Sequence, residues 1–479
     1  MESLWRKTSQ HTNREPLETD ISADTLIIGG GLAGILTAFF LKERGVHTIV
    51  LEANEIGSGQ TENTTAKITS QHNHIYEKLI SSIGKEAAKK YAKANQEAIS
   101  KFSRIINERH IDCDFEMRPA FIYSTQKLEP LEREAEAAAS LGLPAKLTKQ
   151  TALPFEVLGA VRFDEQAQFH PLKFLYALAQ DLEIYEHTSV DKIDKESIYA
   201  GRFRINAKHV VFACHYPFLN VPGYYFLRMH QERSYLIALE NAAKLDGMYI
   251  GLDEEGYTMR NYNDLLIFGG GNHRTGENSA GGKYDELRLA AFSLFPGCRE
   301  VARWSAQDCM PHDNVPYIGQ FSTDTPAWYV ATGFKKWGMS TSMVSARLIS
   351  DAICGIENPY AEVFSPARYK PIASVPELLK DAAQAVKGLL RENLTLPSKT
   401  IDELPRGHGG IVEVNGEKVG VYKDEDSKVY LVDTRCPHLG CQLSWNPDEK
   451  SWDCPCHGSR FDYTGKHLDN PAQSNIMLE

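Results

Sequence analysis

The most specific chemistry in the chain lies near its C-terminus, in Cys436-Pro-His438 and then Cys454-Pro-Cys456-His457. The spacing is C-x-H followed by C-x-x-H. Two thiolates can hold one iron of a 2Fe–2S cluster while two neutral imidazoles replace thiolates on the other iron. Losing that negative charge lets the cluster accept an electron more readily. Cys436 and Cys454 are the candidates for the first iron, and His438 and His457 for the second. Cys and His at close spacing also serve as zinc ligands, although such sites usually open C-x-x-C and keep their histidines as a separate pair. Here each cysteine has its own histidine, in two matched loops with Gly440 and Gly458 as turn residues.

Residues 405–479 resemble the Rieske proteins of respiratory and photosynthetic cytochrome complexes. The resemblance includes Cys441 and Cys456, which implies a disulfide tying the two ligand loops together. It includes Asn470-Pro471-Ala472, which matches the proline loop over the cluster, and Ser459, whose counterpart hydroxyl contacts a bridging sulfide. Phe461 stands where those proteins place a Tyr hydroxyl, so one donor to the cluster is missing. The resemblance also implies that His438 and His457 form an exposed tip where electrons enter or leave. Short apolar patterns at 409–414 and 418–422 fit an all-β lobe.

A second constellation sits at the other end. Residues 24–28 form an apolar run suited to a central parallel strand, followed by Gly29-Gly30-Gly31-Leu-Ala-Gly34 and a helical pattern over 35–44. A second strand pattern over 45–51 ends in Glu52. A glycine turn between strand and helix, with an acid closing the next strand, is the dinucleotide fingerprint. Gly29 permits the tight turn, Gly31 lets amides approach a pyrophosphate at the helix start, Gly34 lets helix and strand pack closely, and Glu52 can accept from a ribose hydroxyl.

The loop 55–67 that follows, rich in Gly and Thr, resembles the second phosphate-contacting loop of FAD enzymes of the D-amino-acid oxidase and glycine oxidase superfamily. That resemblance puts Thr64 and Thr65 near phosphate or ribitol and Lys67 near the flavin ring. It extends to Arg303-Trp304…Asp308…Asp313…Pro316, a segment near the flavin, and to a strand, turn and helix running from Trp328 through Gly333, Lys336, Gly338 and Met339 to Ile353. In the superfamily this helix starts at the flavin, where its partial positive charge favours the anionic reduced ring. Glycine oxidase-like members carry an Arg where this chain has Lys336, and an ammonium cannot make the paired bonds of a guanidinium to a carboxylate. An amino-acid substrate therefore loses support, and Lys67 and Lys336 remain the catalytic candidates. Cys309 leaves covalent flavin attachment open. Residues 224–300 read as alternating strands and turns, and within them Gly269-Gly270-Gly271 lacks a third fingerprint glycine and reads as a turn.

The elements that must position these groups exceed one core, because 479 residues call for two or more domains. The expected organisation is an N-terminal arm over 1–20 and an α/β Rossmann-like FAD-binding domain interwoven with an α+β substrate domain over 21–368. A helical linker over 369–398, with Leu379, Ala383, Val386 and Leu390 on one face, then leads to the Rieske domain over 399–479. Amphipathic patterns at 76–110 read as long helices. A net charge of -11 argues against a nucleic-acid partner. The chain shows neither an apolar run long enough for a membrane span nor a signal-peptide core, so a cytoplasmic protein is expected.

The resulting expectation is an enzyme that oxidises a small, amine-type substrate with FAD and exchanges single electrons with a 2Fe–2S cluster. The partners are a small-molecule substrate and an electron acceptor or donor of unspecified kind; oligomeric state is left open. Alternatives are a redox sensor without catalysis, a Rieske domain that feeds the flavin from a partner, and a Rieske oxygenase using His72 and His74 for a mononuclear iron.

Overall fold

The computed structural model describes residues 2–193, 197–368 and 400–478; the expected linker over 369–398 lies outside them. The strand Ile21–Ile28 sits at the centre of the first sheet, parallel to Thr48–Leu51 on one side and Phe203–Phe212 on the other. Glu183–Tyr185 and Trp328–Thr332 extend the parallel array at its two ends. Leu26, Ile27, Val50, Val211 and Val330 are fully buried, as a parallel sheet covered on both faces requires. The helices Leu32–Glu43 and Gly338–Ile353 pack against each other. Gly34 lets the first of these helices sit close against the strand and turn before it, because a Cβ there would run into the Gly29 carbonyl.

The second sheet has eight strands, mostly antiparallel, with Met229–Glu240 between Arg299–Pro311 and Leu265–Arg274. The amphipathic stretch forms the helices Tyr76–Ile83 and Lys85–Glu108, which bury Tyr91, Ile99, Phe102, Ile105 and Ile106. The N-terminal residues are docked: Trp5 is fully buried and donates from Nε1 to the Thr64 carbonyl at 2.7 Å. His170 caps the helix Pro171–Ala179 by accepting from the Lys173 amide.

Two expectations need correction. Gly269, Gly270 and Gly271 lie inside the strand Leu265–Arg274 and not in a turn. A Cβ on Gly269 would meet the Tyr235 carbonyl at 2.8 Å, and Gly271, at φ +66°, lies near a bulge between Arg233 and Tyr235. Glycine is used here for close approach within a strand. Residues 283–294, expected among strands and turns, form a helix that leaves Leu289 and Phe292 exposed.

The C-terminal lobe contains a three-stranded sheet, His408–Val414, Glu417–Lys423 and Val429–Asp433, and a four-stranded sheet from Ser444–Asn446 to His467–Asp469. It docks on the eight-stranded sheet with little clearance. A side chain on Gly276 would strike Pro455, and one on Gly281 would strike Pro447. The helix Lys283–Leu294 has no side-chain cap of its own. Asp448 of the lobe caps it instead, accepting from the amides of Gly282 and Lys283 at 3.0 Å each. Among the described residues no helix is long and apolar enough to cross a membrane.

An N-cap carboxylate is worth about 0.5–2 kcal/mol. Asp448→Ala should therefore lower the melting temperature and make the junction between lobe and sheet more sensitive to protease. Unchanged melting and digestion would show that this cap carries no docking energy.

Candidate functional site

A cavity of about 1020 Å³ runs through the molecule, at the upper end of the roughly 300–1,000 Å³ usual for ligand sites. Gly29 and Gly31 form one end of it, at the start of the helix Leu32–Glu43. Gly29 has φ +111°, and a Cβ there would meet the Ala213 carbonyl at 2.7 Å. The nearest atom to a Cβ on Gly31 is the Thr61 hydroxyl at 3.4 Å, so a side chain would occupy cavity space. Glu52 accepts from the Gly30 amide at 2.7 Å and the Asn54 amide at 2.9 Å. Burial raises its carboxyl, and those two amides oppose the rise. Thr64, Thr65, Gly333, Gly338 and Met339 also line the cavity. A glycine cradle, an oriented carboxylate and two helix starts along one long cavity fit a dinucleotide such as FAD.

Lys67 and Lys336 both reach the cavity wall, and both are tied. Lys67 donates to the Tyr249 carbonyl at 2.9 Å and to the Thr258 hydroxyl; burial lowers its ammonium to about 7. Lys336, at φ +69°, pairs with Glu232 at 2.9 Å and with Asn272 Oδ1 at 3.0 Å. Burial would raise the Glu232 carboxyl, but His230 and Lys336 hold it well below the usual range. Cys309 is buried behind the cavity wall, with its thiol 3.3 Å from Nε2 of His215, which lines the cavity.

His72 and His74 do not form an iron site. His72 is buried, stacked on Trp337, and bonded to the Tyr91 hydroxyl at 2.7 Å and the Thr69 carbonyl at 2.8 Å. Burial lowers it to about 3, so it stays neutral. His74 contacts Glu77 at 2.7 Å. Among the described residues neither belongs to a ligand cluster.

In the lobe the two cysteine loops close in the same way. The Gly440 amide donates to the Cys436 carbonyl at 2.8 Å, and the Gly458 amide to that of Cys454 at 3.0 Å; both glycines have positive φ. The buried thiols of Cys436 and Cys454 face each other, and the bond between them lowers Cys436 to about 7 and raises Cys454. The rings of His438 and His457 stand 4.9 Å apart, nearly perpendicular, and Nδ1 of His438 is buried without a hydrogen-bond partner. Two sulfurs and two imidazoles converge, with one imidazole nitrogen unused, and this donor set fits a 2Fe–2S centre. Cys441 and Cys456 are joined by a disulfide, whose sulfurs lie within 4.8 Å of the Cys454 sulfur. The Ser459 hydroxyl faces Cys436 and accepts from the Ala472 amide at 2.9 Å, which leaves its proton free to point at sulfur. Phe461 is fully buried in the same core.

The expected exposed tip is covered. His438 donates from Nε2 to Asn220 Oδ1 at 2.6 Å. Phe226 sets its ring edge-on to both histidines, at 6.0 and 5.7 Å. Gln231 donates to the carbonyls of His457 at 2.7 Å and Asn470 at 3.0 Å. Docking on the neighbouring sheet buries what a free-standing lobe would expose. Asp448, Asn220 and Gln231 had no local signal in the sequence, because their roles arise only from this contact.

A parallel sheet with a glycine cradle, joined to a lobe of paired Cys–His loops, defines a flavin-dependent oxidoreductase with an iron–sulfur domain. The FAD dependent oxidoreductase family matches residues 24–352, and the Rieske [2Fe-2S] domain matches residues 396–478. The chain belongs to the FAD dependent oxidoreductase family, carries a C-terminal Rieske domain, and uses FAD and a 2Fe–2S cluster. It is 36% identical to YhfW of Bacillus subtilis, described as a Rieske 2Fe-2S iron-sulfur protein, over 98% of this chain and 96% of that one. It is 22% identical to gamma-glutamylputrescine oxidoreductase of Escherichia coli, over 71% of this chain and 86% of that one. Its fold is similar to glycine oxidase from Geobacillus kaustophilus, with TM-score 0.61 and 18% identity over 73% of this chain and 99% of that one.

Hydrogen bonds to cluster sulfur favour the reduced, more negative form. A charge-assisted bond is worth about 1.5–3 kcal/mol. At 59 mV per tenfold for one electron, Ser459→Ala should lower the reduction potential by roughly 60–130 mV. A potential that stays or rises in the cluster-loaded variant would contradict the contact.

Proposed function

We propose that this protein oxidises a small amine-type substrate with FAD, and that single electrons pass between flavin and Rieske cluster inside one chain. One observation carries the reading. His467, Leu468, Asp469 and Asn470 of the C-terminal lobe line the same cavity as Gly31 and Glu52. Bound FAD supplies a two-electron acceptor that can release electrons singly, and the cluster supplies a one-electron carrier.

The chain's own residues then have distinct tasks. Cys436 and Cys454 would hold one iron, and His438 and His457 the other. Glu52 would orient the ribose, with Thr64 and Thr65 toward phosphate or ribitol. Gly333, Gly338 and Met339 would set the start of their helix toward the ring. Lys67, held by a carbonyl and a hydroxyl, would keep its amine fixed beside the reacting region, and Lys336 would close the other side through Glu232. The oxidoreductase part spans 21–368 and the Rieske part 399–479 in this reading.

Two amides bridge these parts. Gln307 is fully buried, donates from Nε2 to Gln231 Oε1 at 2.7 Å and to the Gly458 carbonyl at 2.8 Å, and donates its backbone amide to Gln60 in the flavin loop at 2.7 Å. Hydrogen-bonded contact therefore runs from the cavity loop to the loop that carries His457. The amine class is favoured by the relative that acts on gamma-glutamylputrescine and by Lys336, whose ammonium already has Glu232 as its partner.

The test is anaerobic reduction of the flavin by light, with the cluster followed by paramagnetic resonance. The cluster signal should grow as the flavin reoxidises, at a rate unchanged by tenfold dilution. Cys454→Ala should retain FAD and stall with its flavin reduced. A rate that falls with dilution would overturn transfer within one chain.

A further inference from the structure

Asp308 is a charged group in the cavity wall. It lies on the strand Arg299–Pro311, on the face that also turns Trp304 and Ala306 to the cavity, and it stands in register opposite Glu232. Glu232 is committed to Lys336 at 2.9 Å and to His230 at 3.4 Å. Arg233 and Arg460, which also reach the wall, are committed to Glu449. Among the described residues Asp308 has no hydrogen-bond or ion-pair partner. Burial lifts its carboxyl to about 6, and Lys336 draws it part of the way back.

Asp308 is half-buried, and a carboxylate left without a partner in a cavity wall complements a ligand of opposite charge. Phe334 and Trp337 line the same cavity, and aromatic faces favour cations. An anionic ligand group would meet the reverse situation. It would face Asp308, and the cavity's lysines and arginines already have partners.

We infer that Asp308 anchors a cationic nitrogen of the substrate, which makes the substrate an amine with no carboxylate on the carbon that bears that nitrogen. The inference rests on the amine reading of the flavin site, but it concerns binding and can fail separately. It also gives Lys336 a different meaning from the Arg of glycine oxidase-like enzymes. Its ammonium is taken up by Glu232 and Asn272, which leaves Asp308 unpaired.

The experiment titrates the FAD- and cluster-loaded protein with 1,4-diaminobutane and with ornithine, the same diamine bearing an α-carboxylate. Binding is read from the perturbation of flavin absorbance, and reduction from its anaerobic bleaching. The diamine should bind at least tenfold more tightly than ornithine. Asp308→Asn should weaken the diamine roughly 10- to 150-fold, the equivalent of one charge-assisted hydrogen bond. FAD content and melting temperature report that the variant is folded, and Asp308→Glu should recover part of the affinity. Equal binding to wild type and folded Asp308→Asn, tighter binding of ornithine, or no perturbation by the diamine overturns the anchor. If the diamine bleaches the flavin equally in both proteins and binds both alike, amine oxidation stands and the anchor falls. If the diamine binds through Asp308 without bleaching the flavin, the anchor stands and amine oxidation falls.

Discussion

The architecture depends on one buried carboxylate. Glu449 of the Rieske lobe lies between Arg233, from the oxidoreductase sheet, and Arg460, from its own lobe, and it also accepts from Ser305 at 2.8 Å. Burial alone would raise this carboxyl, but the two guanidinium groups bring it down to about 2, so it is charged across any working pH. Arg460 is held in turn by Asp453 at 3.0 Å and Asp469 at 3.1 Å. Removing one partner of such a network leaves a buried charge uncompensated and costs about 3–5 kcal/mol. Neither domain can present its half to water without rearranging the other charges. The network therefore specifies how the lobe sits, whatever its net contribution to stability.

That seating has a chemical consequence. With Glu449 in place, Gly458 comes so close to Gln231 that any side chain on it would collide at 2.6 Å. The loop with His457 then rests on the Gln231–Gln307 amide pair, and the strand His467–Asp469 becomes cavity wall. His438 spends its outer nitrogen on Asn220. A free-standing Rieske domain offers that nitrogen to an external partner; here it is used by the same chain. The same contact that hides the histidines is what brings the one-electron carrier next to the flavin cavity.

The paired Cys–His loops and the glycine turn ahead of the helix Leu32–Glu43 were legible in the sequence because their patterns are local. Cys436-x-His438 and Cys454-x-x-His457 lie on tight turns, and Gly29, Gly31, Gly34 and Glu52 belong to one strand–turn–helix–strand unit. The second half of the parallel strand, 24–28, and the helix to Ile353 could be read from the same kind of pattern, while the strand itself starts three residues earlier, at Ile21. What could not be read arises across the fold. Gly269 to Gly271 looked like a turn because glycine's local preference outweighs any single-strand signal, while the reason for glycine is Tyr235 on the next strand. Asp448 caps a helix more than 150 residues away in sequence, and nothing beside it announces a cap. Asp308 was visible only as part of a flavin-adjacent segment; its solitary charge appears once Lys336 is seen paired with Glu232.

The central claim is that the Rieske lobe sits docked, with its cluster beside the flavin cavity. It is tested most directly by the relaxation of a flavin radical in frozen solution, measured with the cluster reduced and in Cys454→Ala, which lacks the cluster. The docked arrangement predicts fast relaxation in the whole radical population of the cluster-loaded protein, unchanged by dilution, and slow relaxation in the variant. Radicals that relax equally slowly in both proteins would contradict it.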